Sequence, residues 1–157
     1  MKVCIGQINT TPGDFQGNFE QIKAGLEKAV EGQADVIVFP ELSLCGYLSQ
    51  DLMYHPTYVK KNQEYLDKVR TYAKSIYPEL AVVVGYIDQA KGGAGKPFAN
   101  MAAVIRQGKI EDTYQKQLLP FYDVFDEARY FQAGDRLSVF EVEGEKIGIT
   151  ITDIITI

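Results

Sequence analysis

The sequence has few cysteines, no long apolar run and no excess of positive charge. Its two cysteines, Cys4 and Cys45, are too few for a disulfide framework and have no zinc-ligand partners nearby. No apolar run approaches the roughly 20 residues that span a bilayer, and Met1 leads directly into a strand-like segment rather than a signal sequence. The net charge of −5, with Lys and Arg spread among Asp and Glu, predicts no binding surface for nucleic acid or an anionic membrane. We therefore expect a cytoplasmic protein that acts on a small molecule or a protein partner.

The glycines of segment 92–95 do not have the spacing of a phosphate-binding loop. The stretch Gly-Gly-Ala-Gly is not followed by the Lys-Ser/Thr pair that such loops carry. The sequence shows no other ATP-binding constellation and no cluster of metal ligands. We therefore predict that the chain binds no cofactor and no metal.

At 157 residues and 46% apolar composition, the chain is long enough for one domain with a core. Alternating or continuous apolar runs predict strands, and apolar residues at three- and four-residue steps predict helices. The first strand, helix and strand in that order imply a parallel crossover. In chain order, we predict strand 2–9, a helix capped by Asn18 and ending at Gly32, strand 35–39, a helix from about Pro56 to Pro78, strand 80–87, and two hairpins, 99–106 with 109–114 and 137–142 with 146–151.

Two charged residues directly follow predicted strands. Glu41 follows strand 35–39 in Phe-Pro-Glu-Leu, and Lys116 follows strand 109–114. Open α/β sheets keep their binding sites at strand ends, where a carboxylate can act as a general base and an ammonium can stabilise a developing oxyanion. Taken singly, the two residues are better explained as a carboxylate that caps a turn and a solvated surface lysine.

The segment 121–131 packs five aromatic residues among four charged ones. Such a density is unusual for a loop and favours a pocket wall or a structured site loop. A loop that is held against the body of the protein by its aromatic side chains is the alternative interpretation.

Five motifs, in order and spacing over almost the whole chain, resemble the carbon–nitrogen hydrolase, or nitrilase, superfamily. Within it, the long signature around residues 116–131 is most similar to the glutaminase domain of glutamine-dependent NAD synthetase. The motifs are FPELSLCGY (39–47), QDLMYHP (50–56), NMAAVIRQGKI (100–110), YQKQLLP (114–120) and YDVFDEARYF (122–131).

The resemblance implies an α/β fold, a four-layer αββα sandwich, of which residues 1–157 form the N-terminal portion. It also implies that Glu41 is the general base, Lys116 stabilises the tetrahedral intermediate and Glu127 is the second acidic residue. Tyr122 and Phe125 are the expected substrate-binding residues. The implied substrate is glutamine, and the implied partner is an ATP-dependent NAD synthetase domain that consumes the released ammonia.

The nucleophile position departs from the family pattern. The family places a cysteine directly after a strand resembling 146–151, and this chain has Thr152 there. A threonine hydroxyl is far less acidic than a thiol, and the resemblance implies that the rest of the domain is missing, so we expect the chain to be inactive. Cys45, four residues after Glu41, is a much less favoured substitute, and Cys4 is less favoured still.

The missing cysteine and the isoleucine-rich tail 151–157 are both explained by a truncated or frameshifted product or a fragment. Sheet surface left uncovered in such a chain would allow a homo-oligomer. Two alternatives remain. One is a non-catalytic binding or interaction module in which Thr152 is a genuine substitution, and the other is an amidase or nitrilase with a different substrate.

Overall fold

The computed structural model describes residues 1–91, 95–121 and 126–151. Within these ranges the chain has seven strands, three α-helices and a 3-10 helix. The strands are β1 (Val3–Ile5), β2 (Val36–Val38), β3 (Ala81–Gln89), β4 (Phe98–Arg106), β5 (Lys109–Gln115), β6 (Ser138–Val142) and β7 (Glu145–Ile149), and the helices are α1 (Phe15–Glu31), the 3-10 helix Gln50–Tyr54, α2 (Tyr58–Ile76) and the short α3 (Glu127–Tyr130).

Five strands form one sheet in the order β1-β2-β3-β4-β5, and β6 pairs with β7 in a second sheet. The strands β1, β2 and β3 are parallel to one another, whereas β4 is antiparallel to both of its neighbours, β3 and β5. The predicted parallel crossover and both predicted hairpins are therefore confirmed. The first hairpin turns at Gln107 and Gly108, both with positive φ (52° and 73°), a conformation that matches the twist of the flanking strands.

Alternate residues of β3 point to two different cores. Val82 and Val84 pack against α1 and α2, while Ala81 and Val83 pack toward the β6–β7 hairpin, together with Phe140. This alternation follows from the two-residue period of a strand that is covered on both faces. The five-stranded sheet therefore lies between a helical layer and a second sheet, as in the predicted sandwich.

Helix α1 begins earlier than predicted. Its N-cap is Asp14, whose side chain accepts a hydrogen bond from the Gly17 amide at 2.9 Å. The predicted cap, Asn18, lies inside the helix, where its side chain is buried and donates to the carbonyl oxygens of Thr11 and Leu44. Both residue types cap helices well, so the sequence alone did not distinguish them.

Strand β1 ends at Ile5, four residues before the predicted end at Asn9. The Gly6 amide still donates to Val38, but the backbone of Asn9 bonds instead to the side chain of Gln21, through both its N–H and its carbonyl group. The alternating sequence pattern predicted a strand up to Asn9, but the backbone of Asn9 pairs with a side-chain amide instead of a neighbouring strand. Across the described residues, no helix is both long and apolar enough to cross a membrane.

Candidate active site

Glu41, Lys116 and Glu127 meet at one place. The Lys116 ammonium nitrogen, Nζ, lies 2.8 Å from Glu41 Oε1 and 3.0 Å from Glu127 Oε1. The side chains of Lys116 and Glu127 are only 2% and 1% exposed, whereas that of Glu41 is 27% exposed. The structure thus brings together the three charged residues that the sequence singled out, and their catalytic roles remain predictions.

Glu41 is positioned by a close approach of two backbone segments. After β2, the chain turns at Leu42, which has a φ of +50°, and the Leu44 amide donates to the Gly85 carbonyl on β3 at 3.1 Å. The Gly85 amide in turn donates to Ser43 Oγ. A Cβ atom at position 85 would lie 2.3 Å from the Leu42 nitrogen. Only glycine therefore lets the segment that carries Glu41 lie against the sheet.

Lys116 is held by backbone pairing on both sides. Its amide donates to the Asn100 carbonyl on β4, and its carbonyl accepts from the Gly134 amide, each at 2.9 Å. A Cβ atom at Gly134 would meet the Gln115 carbonyl oxygen at 2.5 Å, so this contact also requires glycine. Side chains two residues apart lie on the same face of a strand. Lys116 therefore lies on the same face as Tyr114, a buried core residue, and its own side chain is buried as well.

Glu127 opens the short helix α3 and is fixed by contacts from distant segments. Its amide donates to the Pro120 carbonyl, and Tyr47 donates its hydroxyl hydrogen to Glu127 Oε1 at 2.8 Å. Oε2 lies 3.0 Å from Lys116 Nζ but accepts no hydrogen bond of good geometry from any described residue. The helix is anchored in turn by the Tyr130 hydroxyl, which donates to Asp51 Oδ1 at 2.9 Å.

Burial and ion pairing act in opposite directions on Lys116 and Glu127. Burial by itself lowers the pKa of Lys116, but the hydrogen bonds and charges of Glu41 and Glu127 outweigh it and raise that pKa. Burial raises the pKa of Glu127, and the neighbouring charge of Glu41 adds to that shift, against hydrogen bonds from Lys116 and Tyr47. Lys116 therefore keeps its positive charge at neutral pH, and Glu127 is harder to ionise than an ordinary glutamate.

A cavity of about 250 Å³ borders Glu41. Its lining includes Glu41, Gly85 and residues 149–151, so the end of β7 and the residues that follow it border the same cavity as Glu41. Thr152, the predicted nucleophile position, lies outside the described residues, and so do the predicted substrate-binding residues Tyr122 and Phe125. A second cavity, of about 230 Å³, lies behind Glu127 and is lined by Asp51, Met53 and Tyr130 among others.

Cys45 is placed in the core and not in either cavity. Its side chain is fully buried, its Sγ donates a weak hydrogen bond to the Leu42 carbonyl, and burial raises the pKa of its thiol to about 12. A thiol in that state is neither accessible nor ionised at neutral pH. Cys45 therefore does not replace the missing nucleophile.

Two further residues contact the charged group and were not singled out from the sequence. They are Tyr47, which donates to Glu127, and Asn100, whose side-chain amide Nδ2 lies 2.5 Å from Glu41 Oε1. Asn100 had a detectable signal, because it is a polar residue two positions before the core residue Ala102 of the same strand. Tyr47 is the last residue of the motif 39–47, but no local pattern indicates its partner, which is 80 residues away.

Comparisons with known proteins place the chain in a family. Residues 2–155 match the carbon-nitrogen hydrolase family. The glutamine-dependent NAD(+) synthetase of Thermotoga maritima is 37% identical over 153 residues, which cover 98% of this chain and 25% of that protein. The enzyme of the same name from Synechocystis sp. is 36% identical over 154 residues, covering 96% of this chain and 27% of that protein. The chain thus spans about a quarter of the length of the curated relatives it matches.

Solved structures agree with the fold. The glutamine-dependent NAD+ synthetase of Acinetobacter baumannii superimposes with a TM-score of 0.80 at 32% identity, covering 94% of this chain and 27% of that one. An amidase from Nesterenkonia sp. gives a TM-score of 0.80 at 20% identity, covering 96% of this chain and 54% of that one. The predicted nitrilase-type α/β fold is therefore confirmed, and the chain belongs to the carbon-nitrogen hydrolase family.

Proposed function

We propose that this chain carries the general base, the oxyanion-stabilising cation and the second acid of a glutamine amidohydrolase, and that Thr152 prevents it from hydrolysing glutamine. The observation that carries the proposal is the buried Lys116 ammonium, which contacts Glu41 and Glu127 within 3.0 Å. The choice of glutamine rests on the names of the relatives, which are glutamine-dependent NAD(+) synthetases.

The exposure of the three side chains supports a different role for each. Glu41 is partly exposed and borders a cavity, so it is the carboxylate that can reach a nucleophile. Lys116 provides a fixed positive charge for the oxyanion of a tetrahedral intermediate. Glu127 is almost completely buried, lies 3.0 Å from the Lys116 ammonium and holds it in place.

With a cysteine at position 152, the reaction would run in two acyl-transfer steps. Glu41 takes the thiol proton, the thiolate attacks the carboxamide carbon, and ammonia leaves as the C–N bond breaks and a thioester remains. Water then cleaves the thioester to give glutamate and regenerate the thiol. A threonine hydroxyl holds its proton much more tightly, and Cys45 is inaccessible and offers no substitute thiol.

The remaining parts of the proposal concern the substrate and the partner. We assign Tyr122 and Phe125 to substrate binding, since they belong to the same motif as Glu127. An ATP-dependent NAD synthetase domain is the partner that would consume the ammonia. Residues 1–157 then form the N-terminal portion of the glutaminase domain.

The test combines ammonia release with covalent labelling. We expect the purified chain to release no ammonia from glutamine, and Thr152→Cys to be labelled at position 152 by a diazoketone analogue of glutamine. Glu41→Gln in the Thr152→Cys background should abolish labelling, while Glu111→Gln, at a similarly exposed ion-paired glutamate, should not. Ammonia release by the original chain that disappears on Thr152→Ala would overturn the proposed inactivity. Labelling that is indifferent to Glu41→Gln would overturn the assignment of the base.

A further inference from the structure

We propose that Asn100 is a positioning residue, which fixes the Glu41 carboxylate so that Oε1 is held and Oε2 receives the proton of the nucleophile. The inference rests on the proposed function, because it assigns a task to the base of that site. It adds an uncharged residue to the site, beside the charged residues Glu41, Lys116 and Glu127.

The contact itself is short and buried. Asn100 is 0% exposed, and its Nδ2 donates to Glu41 Oε1 at 2.5 Å, the same oxygen that accepts from Lys116 Nζ at 2.8 Å. Only the NH₂ group of an amide can face a carboxylate, since the amide oxygen would repel it. Two donors, one of them a cation, therefore converge on one oxygen of Glu41.

The backbone of Asn100 reaches the second charged residue. Its carbonyl accepts the Lys116 amide at 2.9 Å, just beyond the last registered pair of β4 and β5. Asn100 also lies opposite Ile87 in the β3–β4 ladder, so it is fixed by strand pairing on both sides. One residue in the rigid centre of the sheet thus sets the position of Glu41 through its side chain and of Lys116 through its backbone.

The other buried asparagines show what a purely structural role looks like. Asn18 and Asn62 are 1% and 0% exposed, and the amide nitrogens of both donate to backbone carbonyls. Such bonds satisfy orphaned backbone acceptors in turns and at helix–sheet contacts. Among the buried asparagines, Asn100 is the one whose amide donates to a carboxylate. Its environment is therefore that of a site residue.

The two oxygens of Glu41 are consequently unlike each other. Oε1 has two donors, whereas no hydrogen bond from the described residues reaches Oε2. Glu41 lines the cavity that residues 149–151 also line, and Oε2 is the oxygen that we assign to a group entering from there. In the Thr152→Cys protein, the S–H bond would break with its proton passing to Oε2, leaving a thiolate and a neutral carboxyl group.

The hydrogen bond is testable in the unaltered chain. In a ¹⁵N–¹H spectrum, the side-chain amide proton of Asn100 that faces Glu41 should resonate downfield of the other asparagines. Glu41→Gln removes the charge on the acceptor, so that signal should move upfield while the Asn62 signal stays in place. An Asn100 signal that does not respond to Glu41→Gln would overturn the inference, whatever the activity of the site.

The positioning role is tested with the thiol introduced by Thr152→Cys, in a Cys4→Ser background. Iodoacetamide alkylation, followed by peptide mass spectrometry across a pH series, reports how readily the thiol loses its proton. Asn100→Ala removes the donor that fixes Glu41, and we expect the misplaced carboxylate to slow alkylation at neutral pH by at least about tenfold. Asn62→Ala is the matched control, because it removes an equally buried amide and should change the rate less than twofold.

The outcomes separate this inference from the proposed function. Fast alkylation that depends on Glu41 but not on Asn100 would overturn the inference and leave the proposed function standing. Alkylation no faster than that of an unfolded cysteine peptide would overturn both. An Asn100→Ala protein that fails to fold would be replaced by Asn100→Leu, which keeps approximately the volume of the side chain but has no donor, with the same slowing expected.

Discussion

Lys116 and Glu127 form an ion pair that is almost completely withdrawn from water. Their charged groups lie 3.0 Å apart, and their side chains are 2% and 1% exposed. Taking two charges out of water is expensive, and their attraction compensates for it only while both partners are present. The pair therefore makes the region around Glu41 sensitive to the loss of any one charge.

Removal of the ammonium should strongly destabilise the protein. Lys116→Met leaves the Glu127 carboxylate buried without its cation, and breaking a buried pair in this way costs about 3–5 kcal/mol of unfolding free energy. Lys23→Met, which breaks a surface pair with Glu20, is the control and should leave the unfolding free energy almost unchanged. Urea unfolding followed by circular dichroism measures both values. Similar small losses in the two variants would contradict the buried character of Lys116.

The pH dependence of stability should differ between the original chain and Glu127→Gln. Burial and the charge of Glu41 raise the pKa of Glu127 above 4.5, the ordinary value of a glutamate, in the folded protein. The folded state then binds more protons than the unfolded state above that pH, so its stability falls as the pH rises through the folded pKa.

Glu127→Gln cannot titrate and should not show this fall. The difference in unfolding free energy, original chain minus variant, should therefore decrease as the pH is raised from 4.5 toward neutrality. Denaturant unfolding at a series of pH values measures it. An increase over the same range would mean that ion pairing with Lys116 outweighs burial, which is the opposite sign.

The parts of the fold that were predictable are those governed by local periodicity. The buried stripe of α2, including Leu66, Val69 and Ala73, and the continuous apolar run of β3 were both readable from the sequence. The turns Gln107-Gly108 and Glu143-Gly144 were readable too, because they bring glycine to a position with positive φ.

The site was predictable only in part, because its contacts join distant segments. Glu41 and Lys116 stand at strand ends, a position that local reasoning recognises, but the assignment of Glu127 came from family resemblance alone. Lys116 lies 75 residues from Glu41, and Asn100 lies 59 residues from it. No local pattern specifies such pairs, since the sheet order and register that bring them together are set by the whole core.

The two cysteines should differ sharply in reactivity. Cys45 is completely buried and burial raises its thiol pKa to about 12, whereas Cys4 is partly exposed at the edge strand β1. We expect Cys4 to react with a disulfide reagent at pH 8 in the folded protein and Cys45 to react only on unfolding. Mass spectrometry of timed, quenched samples distinguishes them. Equal rates for both thiols in the folded state would contradict the packing of the segment after Glu41.

Gly85→Ala tests the contact that positions Glu41. The added Cβ would lie 2.3 Å from the Leu42 nitrogen and 2.7 Å from the Pro40 carbonyl oxygen, and backbone atoms on both sides cannot move away as a flexible side chain would. Either the segment carrying Glu41 shifts, or the strand does, at a cost of about 1–3 kcal/mol or more. Gly148→Ala, where the nearest atom is 4.0 Å away, is the control, and its unfolding free energy should lie within about 0.5 kcal/mol of that of the original chain.

If the segment that carries Glu41 shifts, the Asn100 amide signal should move in Gly85→Ala and not in Gly148→Ala, because the hydrogen bond to Glu41 is lost. A Gly85→Ala protein with unchanged stability and an unchanged signal would show that Glu41 does not depend on this contact.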